Sequence, residues 1–194
     1  MAVVLAAAAL TGCDASSPPA REAVDAPPQV LRMRPDAERN RLWVLDHEAV
    51  SVYDNVSGRL LGRAALPDWV FVHRQYTCTP DLVVDASGTA FVSSNVIPVL
   101  WRIDGVRFEV TRLELALDAD RDKDFGFSSL SFASDGTLVA ASALAGSLWR
   151  IDVGTSAAEK LLSFKPRGLE CELEPLLRAT SASGQLSARS RQAR

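Results

Sequence analysis

The chain has 194 residues, of which 47% are hydrophobic and 23% are charged, and its net charge is −3 at neutral pH. This length suits one folded domain with tails, and the composition is ordinary for a globular protein. Because no strong positive field is present, the charge balance argues against nucleic acid as a partner.

The chain begins with a predicted targeting signal. Residues 2–10 (AVVLAAAAL) form an apolar run. The run is too short to span a bilayer, which takes about 20 residues, but it fits the core of a secretory signal peptide. The stretch Leu10-Thr11-Gly12-Cys13 resembles the lipobox of bacterial lipoproteins, although no Lys or Arg precedes the run. The resemblance implies a signal peptide over residues 1–12 and lipidation of Cys13. An ordinary cleaved signal with an incidental cysteine is the alternative.

Residues 13–28 are predicted to form a tether. The pairs Pro18-Pro19 and Pro27-Pro28 stiffen the stretch toward extended chain, and it has no apolar period. An Asp directly after the lipidated cysteine, here Asp14, resembles an inner-membrane retention signal of Gram-negative lipoproteins. We therefore expect a lipid-anchored protein on the periplasmic face of the bacterial cell envelope, with the choice of membrane left open.

The body of the chain repeats itself. Residues 81–104 (DLVVDASGTAFVSSNVIPVLWRID) and 129–152 (SLSFASDGTLVAASALAGSLWRID) align without gaps at an offset of 48. A fixed period of this size marks a repeat architecture. Short apolar runs separated by Asp, Ser and Gly turn residues predict four antiparallel strands in each unit, with residues 108–117 as the last strand of the middle one. A fainter upstream copy gives units at 29–66, 78–117 and 126–164.

The repeat resembles those of the NHL and gluconolactonase-like β-propellers, over about 135 residues. The resemblance implies an all-β, propeller-like fold of about three four-stranded blades over residues 29–164, followed by a disordered tail over 165–194. It implies a fold and not a function, because this superfamily has many activities. The matching residues are Pro80, Leu82, Val84, Asp85, Gly88, Phe91, Val92, Trp101, Ile103 and Asp104.

Three blades are fewer than the four to eight that usually close a propeller. A truncated gene product is the favoured explanation. The alternatives are a homodimer that completes a six-bladed ring, or strands from the ends of the chain that the pattern does not reveal.

Aromatic residues and cysteines are predicted to be structural. Trp101, Trp149 and Tyr53 are expected at one blade position and Trp43 with Phe91 at another, packed between blades. With Cys13 lipidated, two cysteines remain. In an oxidising periplasm they form a disulfide or stay as two separate thiols. These cysteines are Cys78 and Cys171.

No cofactor is predicted firmly. An acidic loop places carboxylates at every second position, as at the start of a calcium loop, but it lacks the Gly and Glu that complete that motif. Ca²⁺ is therefore only a weak candidate, and a solvated loop is favoured. Asn95, which could serve a metal in a lactonase-like channel, has Ala143 as its counterpart in the next unit. The acidic loop residues are Asp118, Asp120, Asp122 and Asp124.

The connection over residues 68–79 has a composition common at interfaces. We expect a non-catalytic, membrane-anchored lipoprotein whose propeller-like domain binds a periplasmic protein or small ligand through this loop. A long connection packed on the blade ends is the alternative for the loop. For the protein, the alternatives are a metal-dependent lactonase-like hydrolase or lyase, or a remnant without a function of its own. The candidate contact residues are Trp69, Phe71, His73, Arg74 and Tyr76.

Overall fold

The computed structural model describes residues 29–72, 78–118, 126–142 and 145–163. Within these residues the chain forms thirteen strands in three sheets, and no helix is long and apolar enough to cross a membrane. The strands are β1 (Arg32–Asp36), β2 (Arg41–Leu45), β3 (Ala49–Asp54), β4 (Leu60–Ala65), β5 (Leu82–Val84), β6 (Ala90–Ser93), β7 (Val99–Ile103), β8 (Val110–Glu114), β9 (Ala116–Leu117), β10 (Ser129–Phe132), β11 (Leu138–Ser142), β12 (Ser147–Asp152) and β13 (Ala157–Ser163).

Each sheet contains four antiparallel strands in chain order. Blade 1 is β1–β4, blade 2 is β5–β8 and blade 3 is β10–β13. The innermost strand of blade 2, β5, contacts those of both neighbours, β1 and β10, so the three blades stand side by side around one axis. The predicted all-β fold of three four-stranded, propeller-like blades is confirmed.

The chain leaves blade 2 through a short additional strand. After β8, residues Ala116–Leu117 form β9, which pairs in parallel with β13 of blade 3. The Ala116 N–H donates to the Ser156 carbonyl oxygen at 2.8 Å. The prediction of one strand over residues 108–117 is therefore wrong, because β8 and β9 occupy this stretch. Once β7 offers no further partners, the backbone groups beyond Leu115 pair with the next blade.

An Asp at the end of the third strand organises the following turn in every blade. The Asp104 carboxylate accepts hydrogen bonds from the N–H groups of Val106 (2.9 Å) and Arg107 (2.7 Å). Asp54 and Asp152 accept equivalent pairs of bonds. Because these backbone bonds favour the ionised form, they lower the pKa of all three carboxyl groups below the ordinary 3.8.

The residue four positions after this Asp adopts a left-handed conformation. Its φ is 69° at Gly58, 59° at Phe108 and 58° at Ser156. The Phe108 ring leaves the turn and packs on blade 1, with its centroid 6.2 Å from that of Trp43. A Cβ on Gly62 would lie 2.2 Å from the Cδ2 atom of this ring, so the close approach of the two blades requires glycine there.

Two apolar clusters join the three blades. We call the side of a blade that faces the next blade along the chain its forward face, and the opposite side its rear face. Trp43 lies on the forward face of blade 1, and Trp101 and Trp149 lie on the rear faces of blades 2 and 3. All three are 0% exposed, which confirms that the tryptophans pack between blades.

The register places Ser51, rather than the predicted Tyr53, at the repeated tryptophan position of blade 1. Trp101 pairs with Val92, and Ser51 pairs with Val44, the residue 48 positions before Val92. The turn before the third strand spans residues 46–48 in blade 1 and 94–98 in blade 2. The shorter turn changes the offset between the blades from 48 to 50 and moves Tyr53 out of the tryptophan position.

The two outer faces of the three-blade array differ. The rear face of blade 1 exposes apolar side chains, with Met33 56% and Leu60 50% accessible. On the forward face of blade 3, Val139, Ala141 and Leu148 are at most 4% accessible. Blade 1 therefore presents the more exposed apolar sheet face.

Candidate functional site

The blades have a turn end and a loop end. At the turn end the chain makes tight turns within each blade. At the loop end β1, β5 and β10 begin, and the described parts of the connections between blades lie there, at residues 66–72, 78–81 and 126–128. Binding residues are concentrated on loops that a rigid scaffold positions, so the loop end is the candidate functional site.

A polar residue ends the second strand of each blade at the loop end. The Asp46 carboxylate accepts hydrogen bonds from the N–H groups two and three residues further on, both at 2.8 Å. Ser94 Oγ accepts the same pair at 3.2 Å, and Ser142 Oγ accepts one bond at 3.4 Å. These caps recur every 48 residues and hold the loop-end turns in a fixed conformation.

Asp81 joins all three blades at the loop end. Its side chain is 3% exposed and lies directly before β5 of blade 2. One carboxylate oxygen accepts from the Leu82 N–H (2.8 Å) and from Arg34 of blade 1 (2.9 Å). The other accepts from the Leu130 N–H of blade 3 at 2.9 Å. Arg32 of blade 1 adds an ion pair of 3.4 Å.

Asp81 occupies a position that recurs around the axis. Its backbone exchanges hydrogen bonds with Ser93 of β6, through the Ser93 N–H and hydroxyl. Arg32 pairs with Leu45 and Ser129 pairs with Ala141, which lie 48 residues either side of Ser93. The inner strands therefore present Arg, Asp and Ser at equivalent positions.

The aromatic part of the β4–β5 connection packs on the loop end. The Trp69 and Phe71 rings stack with centroids 4.5 Å apart, and the His47 ring meets Phe71 edge-on at 5.2 Å. Trp69 Nε1 donates to the Ser93 carbonyl oxygen at 3.1 Å. Val70, which separates Trp69 and Phe71 in the sequence, is 45% exposed. We call His47, Trp69, Val70 and Phe71 the aromatic patch.

Ser94 and Asn95 fix the backbone of the aromatic patch. Ser94 Oγ donates to the Val70 carbonyl oxygen at 2.6 Å. The Asn95 side chain accepts from the Val72 N–H (3.0 Å) and donates to the carbonyl oxygens of Val72 (2.8 Å) and Cys78 (3.0 Å). Because its amide is occupied in this way, Asn95 holds the loop in place.

The structure places only some of the predicted site residues. Cys78 is buried and disulfide-bonded, and its pairing with Cys171 stays a prediction because Cys171 lies outside the described residues. Asp118 accepts a bond from the Lys160 N–H at 3.0 Å on the outer edge of blade 3. No group of three potential metal ligands occurs in the part of the chain that the structure describes. Also outside it are Cys13, His73, Arg74, Tyr76, Asp120, Asp122 and Asp124.

An open depression of about 370 Å³ lies at the turn end of blade 3. Its polar lining includes Asp135, Arg150 and Asp152. Backbone hydrogen bonds, from Thr137 to Asp135 and from Gly154 to Asp152, lower the pKa of both carboxyl groups. Because these carboxylates accept hydrogen bonds from the turns, fewer polar groups are available to a ligand in this depression than at the loop end.

Sequence reasoning missed the role of Asp81. Alone, it reads as a turn residue before a short strand. The usable signal is its spacing, since Arg32, Asp81 and Ser129 lie 49 and 48 residues apart, close to the repeat period. Polar residues at one repeat position of a propeller meet around the axis.

No protein-family model and no curated protein matches this chain. Solved structures do resemble it. The structure of a catalytically inactive histidine variant of virginiamycin B lyase from Staphylococcus aureus with quinupristin has a TM-score of 0.52 and 10% identity, over 71% of this chain and 42% of that one. A streptogramin B lyase structure has a TM-score of 0.50 and 12% identity, over 68% of this chain and 40% of that one. The shared fold is a β-propeller.

A third structure, the extracellular domain of a one-component system from B. thetaiotaomicron, gives a TM-score of 0.48 and 17% identity, over 70% of this chain and 18% of that one. This chain spans less than half the length of either lyase that it matches. Identities this low show the fold and do not transfer an activity.

Proposed function

We propose that this protein is a lipid-anchored periplasmic binding or scaffold protein, not an enzyme, that presents the loop end of its propeller-like domain to a partner. The observation that supports this function best is the aromatic patch. The Trp69 and Phe71 rings are half-buried, hydrogen bonds from Ser94 and Asn95 of blade 2 hold the backbone, and Val70 is exposed. A rigid, partly apolar surface of this kind loses little entropy when a partner binds.

The test of the binding surface is a matched pair of exposed valines. Val70→Asp places a charge in the aromatic patch, whereas Val106→Asp places one at the turn end, where Val106 is 82% exposed. Detergent-solubilised envelope proteins captured on the wild-type domain should be lost with Val70→Asp and kept with Val106→Asp. Equal capture by both variants would show that the aromatic patch is not the binding surface.

The proposed anchor rests on the lipobox-like stretch before Cys13 and the Pro-rich residues 13–28. Metabolic labelling with a radioactive fatty acid should mark the wild-type protein, and Cys13→Ser should abolish the label and release the protein from membranes. Cys171→Ser is the control and should leave the label unchanged. A labelled Cys13→Ser variant would refute lipidation at this site.

The alternative function is a metal-dependent hydrolase or lyase. His47 gives it some support, because it is the histidine among the described residues and lies at the loop end against Phe71. Stoichiometric divalent metal in the purified protein, lost in a His47→Ala variant, would favour this alternative over binding.

A further inference from the structure

We propose that Arg32 anchors the carboxylate of a ligand whose apolar part lies against the aromatic patch. This inference rests on the proposed binding function, and it names the chemistry that the loop end recognises. Its starting point is an arginine with an unused guanidinium group. The Arg32 side chain is 30% exposed, and its one close polar contact among the described residues is the 3.4 Å ion pair from Nε to Asp81.

Asp81 holds Arg32 in place without occupying its terminal nitrogens. The three hydrogen bonds to the Asp81 carboxylate come from the Leu82 N–H, the Leu130 N–H and Arg34. These are shorter than the contact from Arg32 and take most of the acceptor capacity of the carboxylate. Both terminal nitrogens of Arg32 therefore keep their N–H donors for another acceptor.

The cluster around Asp81 has an excess of one positive charge, because Asp36, further along β1, pairs with Arg39. Arg32 and Arg34 face a single carboxylate, that of Asp81. Asp46 lies one residue beyond the strand partner of Arg32, but its carboxylate accepts two turn N–H groups and pairs with Arg63 at 3.6 Å. One further negative charge would complete the cluster.

The unused arginine and the aromatic patch belong to the same surface. Asp81, the ion-pair partner of Arg32, donates its N–H to Ser93 Oγ, and the Ser93 carbonyl oxygen accepts from Trp69. On blade 1, the strand partner of Arg32 is Leu45, which lies two residues before His47. Arg32 and the aromatic patch thus lie at the same end of the blades, connected through Asp81 and Ser93, and a ligand bound to Arg32 would extend toward the rings.

The geometry selects a carboxylate next to an apolar group. A planar guanidinium matches the two oxygens of a carboxylate and forms paired charge-assisted bonds with it. A single excess charge suits a monoanion, and the neighbouring rings suit an aromatic or aliphatic substituent. Small organic acids and the C-terminus of a peptide that ends in an apolar residue share this chemistry.

The experiment uses two pairs of probes that differ only in charge. Phenylacetate is compared with phenylacetamide, and a short peptide ending in phenylalanine is compared in its free-acid and amidated forms. Binding to the full protein is followed by NMR titration of backbone amides and arginine Nε signals. We expect at least one carboxylate to bind at least tenfold more tightly than its amide. The acid that binds more tightly identifies the source of the natural ligand.

Arg32→Gln should weaken the carboxylate at least tenfold, and Arg32→Lys, which keeps the charge but not the paired donors, should weaken it less. Arg107→Gln at the turn end is the control and should leave affinity unchanged. Arg32→Lys keeps the test valid if Arg32→Gln does not fold, which fluorescence of the buried tryptophans reports. Equal binding of acid and amide, unchanged affinity in folded Arg32→Gln, or no binding of either acid would overturn the proposal.

The two proposals fail separately. Capture of a partner that depends on Val70, together with no carboxylate binding, would leave the binding function standing and remove the role of Arg32. Carboxylate binding that depends on Arg32, with no partner captured, would point to a small-molecule ligand for the same surface.

Discussion

Asp81→Asn should destabilise the protein by about 2–4 kcal/mol, because the Asp81 side chain bonds to all three blades. Asparagine has nearly the same size, so the effect isolates charge and hydrogen bonding. Its amide oxygen can keep the bonds from Leu82 and Arg34. Its NH₂ group then faces the Leu130 N–H, two donors with no acceptor between them.

The magnitude follows from one lost hydrogen bond and one weakened hydrogen bond. Leaving the buried Leu130 N–H without an acceptor costs about 1–3 kcal/mol. The bond from Arg34 is kept but loses its charge assistance, which adds about 1 kcal/mol; this is below the usual value for a charged pair because that arginine is 42% exposed and recovers hydration.

Urea denaturation followed by tryptophan fluorescence measures the change in unfolding free energy. Asp118→Asn is the matched control, since Asp118 also accepts a backbone N–H but lies exposed on blade 3. Its effect should stay below about 0.5 kcal/mol. Hydrogen exchange gives a local readout, because the Leu130 amide should exchange faster in Asp81→Asn. A loss of less than about 1 kcal/mol with unchanged Leu130 protection would refute the assigned role.

Three further predictions concern the contact between blades 1 and 2 at Gly62, the turn at Asp104 and the disulfide. Gly62→Ala should destabilise by about 1–3 kcal/mol through overpacking against Phe108, measured by thermal unfolding; Gly58→Ala, with open space around it, should cost only the left-handed strain of about 1 kcal/mol. Backbone hydrogen bonds lower the pKa of Asp104 below the ordinary 3.8, so its contribution to stability is present above that pH and is lost as pH falls through the folded-state pKa. Asp104→Asn should therefore make stability fall less steeply below pH 3.8, measured by urea denaturation at a series of pH values, and an unchanged slope would contradict the assignment. Cys78→Ser should abolish the disulfide, so that mass spectrometry of the alkylated, unreduced protein shows no linked cysteine pair. A disulfide that persists in this variant would show that Cys78 is not one of its two cysteines.

The repeat predicted the blades because each strand and turn is encoded locally. Gly88 and Gly136 take positive φ at the first turn of blades 2 and 3, as the aligned glycines suggested. Asp104 and Asp152 cap the same later turn. Phe108 takes the left-handed position that Gly58 fills in blade 1. Nothing in the local sequence shows this, because packing against blade 1 offsets the strain.

The candidate site was predicted only in part. The aromatic composition of residues 68–79 identified Trp69 and Phe71 as notable, but not the anchoring by Ser94 and Asn95 from the next blade. The cluster around Asp81 forms across strands nearly one repeat apart, and single-sequence patterns carry little information on such contacts. An acidic residue before a short strand is also far more often part of a turn than the centre of a charge cluster.

The parallel strand β9 has a consequence for how the domain comes apart. Its hydrogen bonds connect the exit of blade 2 to the outermost strand of blade 3, so β13 cannot open without releasing the chain segment that leaves β8. Among the described residues the exit of blade 1 forms no equivalent strand; side-chain hydrogen bonds from Ser94, Asn95 and Trp101 hold it on blade 2 instead. Backbone pairing should therefore make blades 2 and 3 open as one cooperative unit, in which loss of β13 also frees the segment that follows β8.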